Sequence, residues 1–290
     1  MTDDELVLRT RDVIKNMSVL TPKGQLGLMS PHDGGAYWME LWTHLLEEHN
    51  SRGGLRPNLL EDSDLPNTTY PERPKAVTAL QNMTLPKAGT YLVKFMKRKY
   101  AESLVSGGNI RVSPASSYND PSLNSAINDD ELTVCTRIPK NEVSITLLDK
   151  ENGVPKGDIP LISDITVNIS SSTDYYVWCM AYSLDIRLFD DFESDACVII
   201  HEPARLFERM RQQMLSHIGN WDTFVAKVRY FDPCLTNSKH VEPFGCKHFR
   251  YSYQKELRIM WLPTAKATME LSPQELSLGS LEDICELIVI

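Results

Sequence analysis

Apolar residues recur at helical spacing near the start of the chain: Leu6, Leu8, Val13 and Ile14, then, beyond a Pro-Gly interruption, Trp38, Leu41, Trp42, Leu45 and Leu46. Steps of three and four residues place such positions on one side of a helix, so residues 1–50 are expected to form an N-terminal helical element. The pattern lapses after Ser51. Gly53-Gly54 and prolines at 57, 66, 71, 74 and 86 punctuate a stretch with few periodic apolar positions, which reads as a linker or wrapping arm over 51–88. Beyond Gly89 the period shortens to that of strands. Strands are expected over 91–95, 110–113, 131–138, 143–148, 165–169, 175–182, 196–201, 225–230, 256–262, 268–271 and 285–290. Helices are expected over 97–105, closing at Gly107-Gly108, and over 204–217, where Leu206, Phe207, Met210, Met214 and Leu215 share a side. Strand follows strand without the alternation of βαβ units, so residues 89–290 are expected to form an α+β domain of mainly antiparallel sheet.

Composition narrows the function classes. The 290 residues carry 30 Lys plus Arg against 39 Asp plus Glu, a formal charge of -9. That balance disfavours non-specific attraction to nucleic acid, which depends on a basic surface, though it leaves room for a local basic site. Apolar runs such as 197–200 and 287–290 are strand-sized, far below the ~20 residues that span a bilayer. No membrane partner is expected. The start, Met1-Thr2-Asp3-Asp4-Glu5, is acidic where a secretory signal is basic and then apolar, so a cytoplasmic protein is expected. Six scattered cysteines with no Cys-x-x-Cys pair indicate neither a disulfide scaffold nor a redox dithiol.

The phosphate-binding fingerprints G-x-x-x-x-G-K-[ST] and G-x-G-x-x-G are absent, as are H-E-x-x-H and G-x-S-x-G. Cys234, His240, Cys246 and His248 offer sulfur and nitrogen ligands, but their spacing lacks the closely set pairs of a zinc knuckle, and no metal is expected. The segment 249–259 is more informative. Gln254 and Glu256 are two apart at the mouth of an expected strand, where a period of two turns both side chains to one side. A carboxylate there can hold a ribose hydroxyl and stabilise developing positive charge, while the amide orients a nucleophile. An exposed strand end would carry the same alternation.

The order of three segments resembles the three-motif layout of the ADP-ribosyltransferase superfamily: a strand with Lys94, a strand 110–113 followed by Ser116-Ser117-Tyr118-Asn119-Asp120-Pro121, and a late Gln254-x-Glu256. In that family a first-strand polar or basic residue, a second-strand Ser or Tyr motif and a late Glu line one NAD cleft. The chain is also similar to uncharacterised bacterial proteins, some from phage abortive-infection loci. They share the motifs found here as Gly108-Asn109-Ile110-Arg111-Val112-Ser113, Asn119-Asp120-Pro121, Cys179-Met180-Ala181-Tyr182-Ser183 and Tyr253-Gln254-Lys255-Glu256-Leu257-Arg258. The resemblance covers roughly 89–290, with Lys94 where Arg or His is usual and Ser113 with Ser116-Ser117 in place of Ser-Thr-Ser.

The resemblance implies an ADP-ribosyltransferase-like fold and a toxin or phage-defence enzyme that uses NAD as substrate. Glu256 and Gln254 would be catalytic, and Lys94, Ser113, Tyr118 and Asn119 would hold the dinucleotide. The acceptor would be a protein or a nucleic acid, and an antitoxin or regulatory protein would be a further partner. Two alternatives keep the fold: an inactive partner-binding or sensor module, and an NAD glycohydrolase with water as acceptor.

Overall fold

A computed structural model describes residues 1–21, 23–57, 59–60, 73–83, 91–264 and 270–290. Helix α1 (Asp3–Met17) opens on a capping box, in which the Thr2 side chain accepts from the Glu5 N–H and the Glu5 carboxylate accepts from the Thr2 N–H. A hairpin of β1 (Ser18–Leu20) and β2 (Leu26–Leu28) then separates α1 from α2 (Gly35–Ser51). The helical expectation for 1–50 therefore holds for two segments and fails between them, where a β-branched residue and Gly27 lie in the three-residue strands. Leu6, Val13, Met17, Trp38, Leu41 and Leu45 close one cluster between the two helices, with Phe249 of the larger domain inserted among them. Much of the expected linker lies outside the described residues, but α3 (Pro74–Asn82), begun by a proline at its first position, is a helix within it.

The rest of the chain runs β3 (Leu92–Met96), α4 (Arg98–Gly107), β4 (Asn109–Pro114), β5 (Thr133–Ile138), β6 (Ile145–Leu148), β7 (Pro155–Ile159), β8 (Ile165–Ser170), β9 (Tyr176–Ala181) and α5 (Leu188–Asp191). It continues through β10 (Ala196–Ile200), α6 (Pro203–Ile218), β11 (Asp222–Lys227), β12 (Arg229–Phe231), β13 (Cys246–His248), β14 (Glu256–Leu262), β15 (Gln274–Ser277) and β16 (Cys285–Val289). The expected strand 225–230 is two strands broken at Val228; of the expected strand 268–271, residues 268 and 269 lie outside the described residues and 270 and 271 are not in a strand. Gly108, with φ 64°, ends α4 in the left-handed region, and a Cβ there would meet the Gly279 carbonyl oxygen at 2.2 Å.

The class is α+β, and its main sheet has the order β11-β14-β9-β3-β10-β16, antiparallel throughout. Strand β4 pairs with both β9 and β15. The short pair β12 and β13 is parallel. One face of the sheet packs Trp178, Val198, Ile259 and Trp261 under Leu104 of α4 and Leu206, Met210 and Met214 of α6. The other packs Val93, Phe95 and Ile199 against Leu188 and Phe189 of α5 and Ala79 of α3. The period-two alternation of β3 and β10 is what serves both faces at once. Among the described residues, no helix is long and apolar enough to cross a membrane.

Candidate functional site

Strands β3 and β9 are paired at Val93 and Ala181 alone, and toward its start β9 pairs instead with β4, Ser113 opposite Val177. The sheet is thus split between β3 and β9. Lys94 fills part of the split: its Nζ donates to the Cys179 carbonyl oxygen at 2.6 Å and lies 5.0 Å from the centre of the Trp178 ring. A cavity of about 250 Å³ opens here, apolar at Val93, Phe95, Met96, Met180 and Phe192, polar at Lys94, Tyr118, Cys179, Glu131, Lys247, Gln254 and Glu256.

Four of the six residues expected at the site meet in this cavity, namely Lys94, Tyr118, Gln254 and Glu256. Two do not. Ser113 pairs with Val177 toward the start of β9, away from Cys179 and Ala181 where the cavity lies, and does not line it. Asn119 is exposed, and with Asp120 it makes a turn: its N–H bonds the Ser116 carbonyl at 3.3 Å, while the Asp120 carboxylate accepts from the Ser122 N–H at 2.8 Å. The strand that lies between those of Lys94 and Glu256 is β9, and it offers Cys179, its one residue that is not fully buried.

Gln254 and Glu256 do face one cavity, but not through strand periodicity. Gln254 ends a 3-10 segment, Phe249–Gln254, and Lys255 at φ 46° turns the chain in the left-handed region before β14 begins at Glu256. Gln254 Nε2 donates to the Ala126 carbonyl at 2.8 Å. The strand pattern was real for 256–262 only.

Glu256 is held by two cations, Arg258 Nε at 2.6 Å on one oxygen and Lys247 Nζ at 3.4 Å on the other. Glu131 completes a ring, 2.6 Å from Arg258 and 3.2 Å from Lys247, with Asp129 at 3.7 Å from Lys247. Burial by itself pushes the Glu256 carboxyl up, but Arg258 and Lys247 outweigh it and hold the group well below the usual carboxylate range, so it is ionised at neutral pH. Burial lowers the Lys94 ammonium from its ordinary value, opposed by Cys179 and Glu256. It raises Tyr118 and Cys179, keeping the phenol and the thiol protonated. Burial raises Asp129 to about 6, with Lys247 opposing.

Sequence reasoning assigns none of Glu131, Lys247, Arg258 and Cys179 to the site, although Cys179 and Arg258 stand in the motifs that carry the resemblance. Arg258 was legible as the residue two beyond Glu256 on the same strand face. Glu131 and Lys247 come from segments 116 residues apart, and no local pattern links them. Of the four Cys and His residues weighed for zinc, Cys246 and His248 are engaged with other groups. Cys246 Sγ accepts from the Glu242 N–H, His248 stacks on Phe249 at 4.7 Å and accepts from the Arg250 N–H, and His240 is exposed. Among the described residues no three His, Cys, Asp or Glu side chains are grouped to hold a metal ion.

Comparison of the chain with family models, with curated proteins and with solved structures finds no match.

Proposed function

We propose that the chain is an NAD-consuming transferase of the ADP-ribosyltransferase type, with its site in the split between β3 and β9. One observation carries the reading: Lys94, Tyr118, Gln254 and Glu256, from distant parts of the sequence, line a single cavity. The cavity, at about 250 Å³, is below the roughly 300–1,000 Å³ of pockets for drug-sized ligands. It fits one end of a dinucleotide, the nicotinamide ribose. The apolar wall of Val93, Phe95 and Met180 suits the flat ring, and Glu256, ionised beside the ribose, would stabilise the positive charge that develops as the nicotinamide bond breaks. Lys94 supplies a point charge for a phosphate oxygen and Gln254 an amide to orient the acceptor.

A second reading, an inactive ligand- or partner-binding module, is favoured by the engagement of both Glu256 oxygens by Arg258 and Lys247. Incubating the purified protein with labelled NAD and a bacterial lysate separates the readings. Free nicotinamide together with label on a macromolecule is the expected result. Nicotinamide without label points to hydrolysis, and neither product points to the binding module.

A further inference from the structure

The wall of the cavity that carries Gln254 is fixed from outside the larger domain. The 3-10 segment Phe249–Gln254 packs along α1, and Asn16 near the end of that helix bridges its two ends. Asn16 Nδ2 donates to the Phe249 carbonyl at 3.1 Å, and Asn16 Oδ1 accepts from the Tyr253 N–H at 2.8 Å. The side chain is 1 % exposed, so these bonds are made without competition from water. Tyr253 is further held by two cations, Lys15 Nζ at 4.5 Å and the Arg187 guanidinium at 4.0 Å from the centre of its ring. Arg187 in turn donates to the Lys15 carbonyl at 2.9 Å and to the Ser18 carbonyl at 3.1 Å, both at the C-terminal end of α1. Gln254 is the next residue, and its Nε2 lies 3.4 Å from the Tyr253 hydroxyl.

From this geometry we infer that Asn16 is a positioning residue of the site: through its paired bonds to Phe249 and Tyr253, the N-terminal helix sets where the Gln254 amide stands in the cavity. The inference rests on the transferase reading for what Gln254 does, and on contacts alone for what Asn16 does. A 3-10 segment has poorer hydrogen-bond geometry than an α-helix and holds its shape weakly by itself. Asn16 replaces what the segment lacks, one donor and one acceptor at its two ends. Helix α1 is thereby a structural part of the site and not an appended module.

The experiment compares full-length wild type, Asn16→Ala and Leu6→Ala. Leu6 is buried in the same helix cluster, so Leu6→Ala weakens the helix without removing either bond to the 3-10 segment. Two quantities are read, the ratio of label transfer to NAD hydrolysis and the amide hydrogen exchange of residues 249–256. Asn16→Ala is expected to lower the ratio about tenfold with little change in KM for NAD, because misplacing an orienting group costs turnover, and to speed exchange within 249–256 selectively. Leu6→Ala is expected to change neither selectively. An unchanged ratio in an active Asn16→Ala protein, or the same fall in Leu6→Ala, overturns the inference. If the wild type leaves NAD intact, the transferase reading fails by itself. Exchange then decides the positioning claim: selective acceleration in Asn16→Ala supports it, and uniform acceleration or none overturns it.

Discussion

Glu256, Glu131, Lys247 and Arg258 form two carboxylates against two cations inside the domain, each nearly inaccessible. Burying such groups is costly, and the cost is recovered only because each has a partner at close range. Asp12 on α1 shows the contrary case. Burial raises its carboxyl to about 6 from an ordinary 3.8, with Arg250, Lys15 and Arg9 opposing. A carboxylate whose folded value is raised penalises folding above that value, and the penalty vanishes once both states are protonated, below the unfolded value. Asp12→Asn is therefore expected to stabilise the protein at pH 8 by up to about 3 kcal/mol, from 1.36 kcal/mol per pH unit of separation, and to confer nothing near pH 3.5. Urea unfolding at the two pH values checks this, and a gain that persists at the lower pH would refute the assignment.

Strands β6 and β7 pair only with each other, and every residue in them is exposed. An isolated two-stranded hairpin is marginal in water and contributes little to a domain against which it buries no residue. Replacing residues 141–162 by a short turn, which joins β5 to β8 where Ile138 pairs with Ile165, should leave the unfolding free energy within about 0.5 kcal/mol of wild type. Loss of more than about 2 kcal/mol in denaturant would show that the hairpin packs on the domain. Most elements that cross the core were legible in advance because each sets its own period, as in β3, β9, β10, β14 and α6. Strands β7, with its Gly157 and Pro155, and β15, four residues long, carried no such signal. The 3-10 segment 249–254 carried no signal of its own, because the burial of Tyr251, Tyr253 and Gln254 comes from tertiary contacts with α1 and the Ala126 loop, which local pattern cannot register.

At the scale of the whole molecule, the split sheet is what makes a cavity out of an otherwise continuous core. Single-point pairing of β3 with β9 lets Lys94 turn into the gap, and the order β14-β9-β3 sets Glu256 and Lys94 on strands flanking β9. The N-terminal helices pack behind the Gln254 wall through the cluster around Phe249 and the Asn16 bond to Tyr253, so under the proposed function they share one site with the main sheet. The proposed chemistry depends on the negative charge at Glu256, and Glu256→Gln removes that charge while keeping the shape. The same substitution leaves Lys247 and Arg258 short of counter-charge, so some loss of stability is expected, and rates are compared well below the unfolding midpoint of the variant. The most direct measurement is the release of free nicotinamide from NAD by purified wild type and by folded Glu256→Gln. The account predicts NAD-dependent release by the wild type that falls by roughly 10²–10³ in the variant, the scale on which one preorganised electrostatic group acts; release at the same rate by both proteins, or none by the wild type, would contradict it.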